Sequence, residues 1–114
     1  MIEELPLPTF LNGAPFANKV AYASYSRSGN TFFRLYLEQI GGIFTGSDGD
    51  LNYALHYSLQ FCGFSGEAKV NDECWFVKTH YPLGKETQFE AQKVILCVRN
   101  PLDVVTSMFN FWTT

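Results

Sequence analysis

The sequence lacks the surplus of positive charge that would mark a protein built to bind nucleic acid. Eight lysine and arginine residues stand against eleven acidic residues, which gives a net charge of −3. Such a chain has no overall field that attracts a polyanion. We therefore expect no nucleic-acid partner, and any site for an anionic ligand has to be local.

Cysteine is also scarce, with only Cys62, Cys74 and Cys97 in 114 residues. The odd count and the absence of a C-x-x-C spacing argue against a disulfide framework and against a zinc knuckle, so we expect no metal. Cys97 lies in the apolar run "KVILCV", and we expect it to be a core thiol.

Long apolar segments are missing as well. No window approaches the roughly 20 apolar residues of a membrane span. The first ten residues, "MIEELPLPTF", are acidic and contain two prolines, unlike a secretory signal. The default expectation is a cytoplasmic protein with reduced thiols. Residues 1–18 are interpreted as an irregular lead-in, and residues 19–114 as the domain.

What the sequence does contain is an alternation of strand and helix patterns. Strands are predicted at 19–25, 74–80 and 93–98, and the last is apolar enough to be covered on both faces of a parallel sheet. Helices are predicted at 31–40 and within 51–61, and this order indicates an α/β fold with a parallel sheet. Ligands of such folds bind beyond the carboxyl ends of the strands.

Two of the helices have clear sequence signatures. In 31–40, an apolar stripe at i, i+3, i+4 and i+7 predicts the buried face and consists of Phe33, Tyr36, Leu37 and Ile40. After the strand at 93–98, Asn100 is a good N-cap and Pro101 suits the first helical position. The apolar stripe of this last helix consists of Val104, Val105, Met108 and Trp112. Residues 43–50, "IFTGSDGD", are turn-rich, and 63–73 are loop-like.

The first polar cluster, "SYSRSGNT", follows the first strand and precedes the first helix. Gly29 permits a sharp turn, and the amides after it would lie at a helix N-terminus, which favours an anion. Arg27 adds a planar charged group suited to phosphate oxygens. The loop contains no Walker A motif, so ATP or GTP hydrolysis is not expected. An ordinary capped turn with a surface arginine remains the alternative.

The second cluster is "VKTHYP" at the end of the second long strand. Lys78 and His80 are two residues apart and share one face of the strand. A histidine can take a proton from an attacking hydroxyl, and a lysine can stabilise charge on a leaving group. The alternative is a histidine bonded to backbone beside a solvated lysine. His56 has no acid or cysteine near it in the sequence, and we expect it to be a surface or satisfied core residue.

The third cluster is "VRNPLDVVTS" after the last strand. Arg99 follows the strand, and Ser107 lies two turns into the helix, where its side chain leans back toward Arg99. The two could hold a second phosphate. The alternative is an arginine paired with Asp103 beside an ordinary helical serine.

Together the three clusters resemble the sulfotransferase family that uses 3'-phosphoadenosine 5'-phosphosulfate (PAPS). That family carries "YPKSGTTW" or "YPRSGNTW", then "KTH", then "RNPRDVxxSxYxF". The corresponding segments here are "YSRSGNTF", "VKTHYP" and "VRNPLDVVTSMFNF", in the same order. With "GIFTGSDGD" after the helix, the loop is similar to that of the WSC-domain sulfotransferases. The resemblance implies the N-terminal half of a three-layer, P-loop-NTPase-like sulfotransferase fold.

The resemblance also implies roles for single residues. The 5'-phosphosulfate side of the donor would be held by Arg27, Ser28, Gly29, Asn30 and Thr31. Its 3'-phosphate would be held by Arg99 and Ser107. His80 would be the general base and Lys78 would act near the bridging oxygen, so the expected catalytic set is His80, Lys78 and Arg27. No metal is implied.

This sequence departs from the family pattern at several positions. Ser26 stands in place of a proline and Leu102 in place of a common arginine. Phe32 stands in place of a tryptophan and keeps an aromatic face for the adenine. Family catalytic domains are considerably longer than this chain, and the resemblance covers residues 19–112.

Two hypotheses therefore stand. One is the donor-binding half of a PAPS-dependent enzyme that transfers sulfuryl to a hydroxyl or amine acceptor. The other is a truncated sulfotransferase-like chain that serves as a structural subunit, with other protein chains covering its sheet.

Overall fold

The computed structural model describes residues 4, 6–15, 17–52, 54–81 and 88–114. Parts of the lead-in and the "PLG" that follows Tyr81 therefore lie outside the described residues. A single sheet of four strands in the order β2-β3-β1-β4 organises the fold. Every pairing is parallel, which confirms the predicted α/β class.

The strands are short and pair over nearly their full length. They are β1 (Val20–Ser24), β2 (Gly46–Ser47), β3 (Phe76–His80) and β4 (Lys93–Cys97). Ser24 is in register with His80 on one side and with Cys97 on the other, so the carboxyl ends of the three longer strands meet at one edge. That edge is where the three polar clusters follow their strands.

Three helices complete the described structure. They are α1 (Asn30–Gly41), α2 (Ala54–Phe61) and α3 (Pro101–Thr113). The predicted N-cap of α3 is confirmed, because Asn100 Oδ1 accepts from the amide of Leu102 at 3.0 Å and Pro101 is the first helical residue. The predicted stop of the first helix is also confirmed, since Gly42 caps α1.

The buried face of α1 differs from the prediction. Tyr36 is 53% exposed and Ile40 is 80% exposed, while Asn30, Arg34 and Glu38 are the buried residues of this helix. Leu37 and Phe33 do contact the apolar core around Tyr22. The helix was therefore predicted correctly, but its fully buried stripe is polar because it packs on a network of hydrogen bonds.

Strand β4 also differs from the prediction of a strand covered on both faces. It is the edge strand, and Val94, Ile95 and Leu96 are exposed in the described structure. Cys97 is half-buried, and packs against the core instead of lying within it. In α3, likewise, Val104 is buried, whereas Val105 and Trp112 are exposed. The apolar composition of β4 and α3 shows that these elements can be buried, but it does not show which of their residues other parts of the chain cover.

The turn-rich segment 43–50 contains a strand that the sequence did not indicate. Gly46 and Ser47 pair with Val77 and Lys78 of β3 and form the edge opposite β4. A Cβ atom on Gly46 would clash with the carbonyl oxygen of Lys69, so only glycine lets the loop that carries Lys69 pack this closely on β2. The segment thus brings buried polar residues against Lys78.

Candidate functional site

The three polar clusters meet in one cavity of about 570 Å³ at the carboxyl edge of the sheet. The loop from Tyr25 to Gly29 joins β1 to α1, β3 contributes its last residues, and α3 closes a third side. Among the predicted site residues, those that line the cavity are Arg27, Gly29, Asn30, Thr31, Phe32, Lys78, His80, Arg99 and Ser107. Residues separated by 80 positions in the sequence thus share one space.

The loop between β1 and α1 contains two left-handed backbone positions. Gly29 has φ 92° and caps α1, and no other group lies within 4 Å of the point where a Cβ would stand. Arg27 has φ 68°, which is uncommon for a residue with a side chain. The turn places the first amides of α1 at the cavity, where a helix N-terminus favours negative charge.

Ser28 is the one predicted residue that does not line this cavity. It lines an adjacent cavity of about 360 Å³ together with Cys97 and Arg99. Its Oγ is buried without a hydrogen-bond partner among the described residues, as is Oδ1 of Asn30. Buried polar atoms are normally paired, so this loop has hydrogen-bonding capacity that its own fold does not use.

Asn30 binds inward as well as facing the cavity. Its Nδ2 donates to Oγ of Ser24 at 2.7 Å, and the residue is only 4% exposed. The side-chain donor that the sequence assigned to a ligand therefore anchors the loop to β1. The backbone amide of Asn30 remains at the helix N-terminus.

Two arginines connect the clusters. Arg99 Nη1 donates to the carbonyl oxygen of Arg27 at 2.9 Å, and Arg27 Nε donates to Oγ of Ser107 at 3.1 Å. The Arg27 guanidinium also lies 4.9 Å from the ring centre of Phe111. Among the described residues no ion pair joins Arg99 to Asp103, the alternative that the sequence left open. Both guanidinium groups are exposed to the cavity and keep donors that these bonds do not occupy.

His80 lies at the base of the cavity, and its Nδ1 contacts two atoms of Ser24. Nδ1 is 3.2 Å from the carbonyl oxygen of Ser24, which can only accept, and 3.4 Å from Oγ of Ser24, which can donate or accept. The tautomer in which Nδ1 donates to the carbonyl leaves Nε2 able to accept a proton. Burial, and next the positive charge of Lys78, lower the pKa of His80 below its usual 6.5. A neutral imidazole near pH 7 is the form that can accept a proton.

Beneath the cavity lies a polar network that sequence reasoning missed. Arg34 Nη1 lies 2.6 Å from Oε2 of Glu67, Arg34 Nε donates to Oγ1 of Thr45 at 2.8 Å, and Glu38 Oε1 accepts from the amide of Thr45 at 2.9 Å. Each of these four residues is almost fully buried. The i, i+4 spacing of Arg34 and Glu38 on one helix face was the available signal, whereas nothing in the sequence near Glu67 indicated its burial.

His56 belongs to this network and is a satisfied core residue, one of the two alternatives that the sequence left open. Its Nδ1 lies 2.7 Å from Oε1 of Glu67, which is 11 residues away and has no exposed side-chain surface. The acid could not be found from sequence neighbours because the pairing depends on how the loop after α2 folds back. The Glu67 carboxylate is thus separated from the cavity by a single side chain, that of Lys78.

Comparison with known proteins identifies the family. Residues 18–114 match the sulfotransferase domain. The chain belongs to the sulfotransferase domain family. The four-stranded parallel sheet is consistent with the P-loop-like fold of that family.

The sulfotransferase domain also has similar curated relatives in insects. It is 38% identical over 90 residues to a WSCD family member of Drosophila melanogaster and 40% identical over 90 residues to one of Drosophila pseudoobscura pseudoobscura. A third WSCD family member, from Aedes aegypti, is 37% identical over 90 residues. Each match covers 79% of this chain but only 26–27% of the relative, so the chain spans about a quarter of these proteins' length. No solved structure matches significantly.

Two further properties of the described structure bear on the site. No cluster of three or more histidine, cysteine or acidic side chains suitable for a metal ion occurs among the residues that the structure describes. In the same residues no helix has the length and apolar character to span a membrane.

Proposed function

We propose that this sulfotransferase domain binds PAPS in the 570 Å³ cavity and transfers its sulfuryl group to a hydroxyl or amine acceptor. The single observation that supports this most is the convergence of the loop, the end of β3 and the start of α3 on one space. Each segment alone has an ordinary structural interpretation. Their arrangement around one cavity with three cations is what a doubly phosphorylated nucleotide requires.

The residues present fit such a donor. The amides that begin α1, with Arg27 and Thr31, would hold the 5'-phosphosulfate, whereas the Ser28 side chain lines the adjacent cavity. Arg99 and Ser107 would hold the 3'-phosphate, and Phe32, which is 66% exposed at the cavity wall, offers an aromatic face to the adenine. When bound, PAPS supplies an activated sulfuryl group on a phosphate leaving group.

The chemistry proposed for the protein is proton transfer and charge stabilisation. The acceptor forms a bond to sulfur while the bond from sulfur to the bridging oxygen breaks. Nε2 of His80 takes the acceptor's proton, and Lys78 stabilises the negative charge that the leaving phosphate gains. Arg27, whose exposed guanidinium lines the same cavity, adds positive charge beside the transferred group. Most of the rate enhancement would come from positioning and electrostatics, as in phosphoryl transfer.

Titration calorimetry with adenosine 3',5'-bisphosphate tests the donor site. We expect the parent chain to bind, and Arg99→Ala to weaken binding about tenfold or more, because a hydrogen bond to a charged group is worth roughly 1.5–3 kcal/mol. Lys93→Ala is the matched control, since Lys93 is exposed at the opposite end of the sheet. Adenosine 5'-phosphate, which lacks the 3'-phosphate, should bind parent and Arg99→Ala about equally. Unchanged affinity of Arg99→Ala for the bisphosphate would refute the assignment.

A second candidate function is that of a structural subunit, and the exposed apolar face of β4 and α3 favours it. Leu96 is 64% exposed and Trp112 is 77% exposed. Such a surface is typical of a protein–protein contact. Size-exclusion chromatography separates the two candidates: a monomer that binds the bisphosphate supports the donor site alone, and solubility only with another chain supports the subunit.

A further inference from the structure

The buried network beneath the cavity has one residue at its centre, Glu67. Its side chain has no exposed surface, although it is a carboxylate. Removing an ionised carboxylate from water is costly unless cations and donors surround it. The proposed donor and acceptor chemistry does not use Glu67. The free-energy cost of burying its carboxylate therefore has to be explained by another role.

Both carboxylate oxygens of Glu67 are held in place. Oε2 accepts from Arg34 Nη1 at 2.6 Å, while Oε1 accepts from Oγ of Ser47 at 2.9 Å and lies 2.7 Å from Nδ1 of His56. These partners come from α1, from β2 and from α2. The carboxylate is therefore fixed in position by three separate elements.

Lys78 is the charged group that connects this network to the cavity. Its Nζ lies 4.0 Å from Oε1 of Glu67, and the residue is only 3% exposed although it lines the cavity wall. Burial of an ammonium group favours the neutral amine. A fixed carboxylate at this distance counteracts that tendency, because it favours the charged form.

The charges around this pair come from every neighbouring element. Among the described residues, Arg34 and Glu38 lie on α1, Asp48 follows β2 and accepts a hydrogen bond from Thr79, His56 lies on α2, and His80, Arg27 and Arg99 line the cavity with Lys78. Burial alone would raise the pKa of Glu67, but the charges of Arg34 and Lys78 together with the hydrogen bonds from Arg34 and His56 outweigh burial, and the pKa lies below its usual value. Glu67 is consequently ionised throughout the neutral range.

We propose that Glu67 is a positioning residue that keeps Lys78 charged and fixed at the floor of the cavity. The benefit of a charged Lys78 to a leaving phosphate rests on the proposed function, whereas the effect of Glu67 on Lys78 does not. The proposal makes the segment 62–73 part of the site, although no residue in it lines the cavity. Sequence motifs alone do not indicate this segment.

The test is the titration of the lysine side chains by NMR in uniformly ¹³C,¹⁵N-labelled protein, with Lys78 assigned through Lys78→Arg. We expect Lys78 of the parent to be charged at pH 8, because the Glu67 carboxylate at 4.0 Å favours the ammonium form. In Glu67→Gln, which keeps the shape and removes the charge, Lys78 should lose its proton at least about one pH unit lower, a tenfold change in proton affinity. The other lysines should titrate as in the parent.

Glu73→Gln is the matched control, because Glu73 pairs with Lys69 at the surface and does not contact Lys78. If Glu67→Gln does not fold, Glu67→Asp keeps the charge but withdraws it by one methylene, and a smaller shift in the same direction is expected. A Lys78 titration that is unmoved in the folded variant overturns the proposal. So does a parent chain in which Lys78 is already neutral at pH 8, and that measurement needs no variant.

Binding of adenosine 3',5'-bisphosphate separates this proposal from the function on which it rests. If the parent binds, Glu67→Gln should lose affinity at a lower pH than the parent does, because its Lys78 becomes neutral earlier. If the parent does not bind at any pH, the donor site is refuted while the lysine titration still decides the role of Glu67. A variant that is merely less stable would bind less at every pH, and this result would count against a positioning role.

Discussion

His80 shows at the scale of one residue how position sets chemistry. Nδ1 contacts both the carbonyl oxygen and Oγ of Ser24, and burial together with Lys78 disfavours a second proton on the ring. A free histidine would be partly charged at pH 6.5. In this site the lowered pKa shifts the ring toward its neutral form at the same pH, and the neutral form is the one that can act as a base.

A first prediction concerns the charge of Lys78. Lys78→Met should raise the pKa of His80 toward 6.5 without reaching it, because the Lys78 charge disfavours imidazolium but burial is the larger cause. ¹H–¹⁵N NMR titration of the imidazole measures this, and Lys93→Met, an exposed site, is the control that should change nothing. A downward or absent shift would contradict the electrostatic account of His80.

The same lowered pKa has a consequence for stability. Below pH 6.5 the unfolded chain takes up this proton before the folded chain does, so His80 reduces the free energy of unfolding as the pH falls toward its folded pKa. Above pH 6.5 both states are neutral and the contribution disappears.

Single residues with distinctive chemistry were predictable from the sequence, but the buried residues that hold them in place were not. Lys78, His80, Arg99 and Ser107 stand in short motifs, and the structure brings all four to one cavity. Glu67 stands in "SGEAK", which has no such pattern. Its burial depends on packing between elements that are far apart in the chain, and the pattern of neighbouring residues in the sequence does not indicate such packing.

At the scale of elements, order was predictable while burial was not. The periodicity of α1 gave a helix, yet a helix with both an apolar and a polar stripe can bury either. The polar stripe is buried here because Glu67 and Thr45 supply partners for Arg34. Strand β2 has only two residues, too short for any alternation to appear.

A second prediction tests the close packing of β2. Gly46→Ala should destabilise the fold by about 1–3 kcal/mol or more, the usual effect of overpacking, because the new methyl group would clash with the Lys69 carbonyl. Gly41→Ala is the control: Gly41 lies in α1 with open space around it, and alanine should stabilise the helix by about 0.5–1 kcal/mol. Urea denaturation measures both. Equal effects would show that β2 does not pack as described.

At the scale of the whole molecule, the cavity lies between α3 and the carboxyl edge of the sheet. The side-chain contacts that join Arg27 to α3 are the bond to Ser107 and the packing over Phe111, and Arg99 ties the start of the helix to the same loop. Much of the outer face of α3 is exposed, including Phe109 and Trp112. A ligand in the cavity would therefore add contacts to those that already connect α3 to the loop.

This arrangement gives a third prediction about stability as a whole. Saturation with adenosine 3',5'-bisphosphate at 100 times its dissociation constant stabilises the folded state by about 2.7 kcal/mol if only that state binds. Because the ligand would contact both parts, hydrogen exchange in α3 should slow together with exchange in the loop 25–31. Exchange measured by mass spectrometry reads the two regions separately.

Ser107→Ala should keep the slowing in the loop and lose most of it in α3, since its hydroxyl contact with the loop is gone. Slowing confined to the loop in the parent would mean that α3 takes no part in binding, and the cavity would then be half of a site at most.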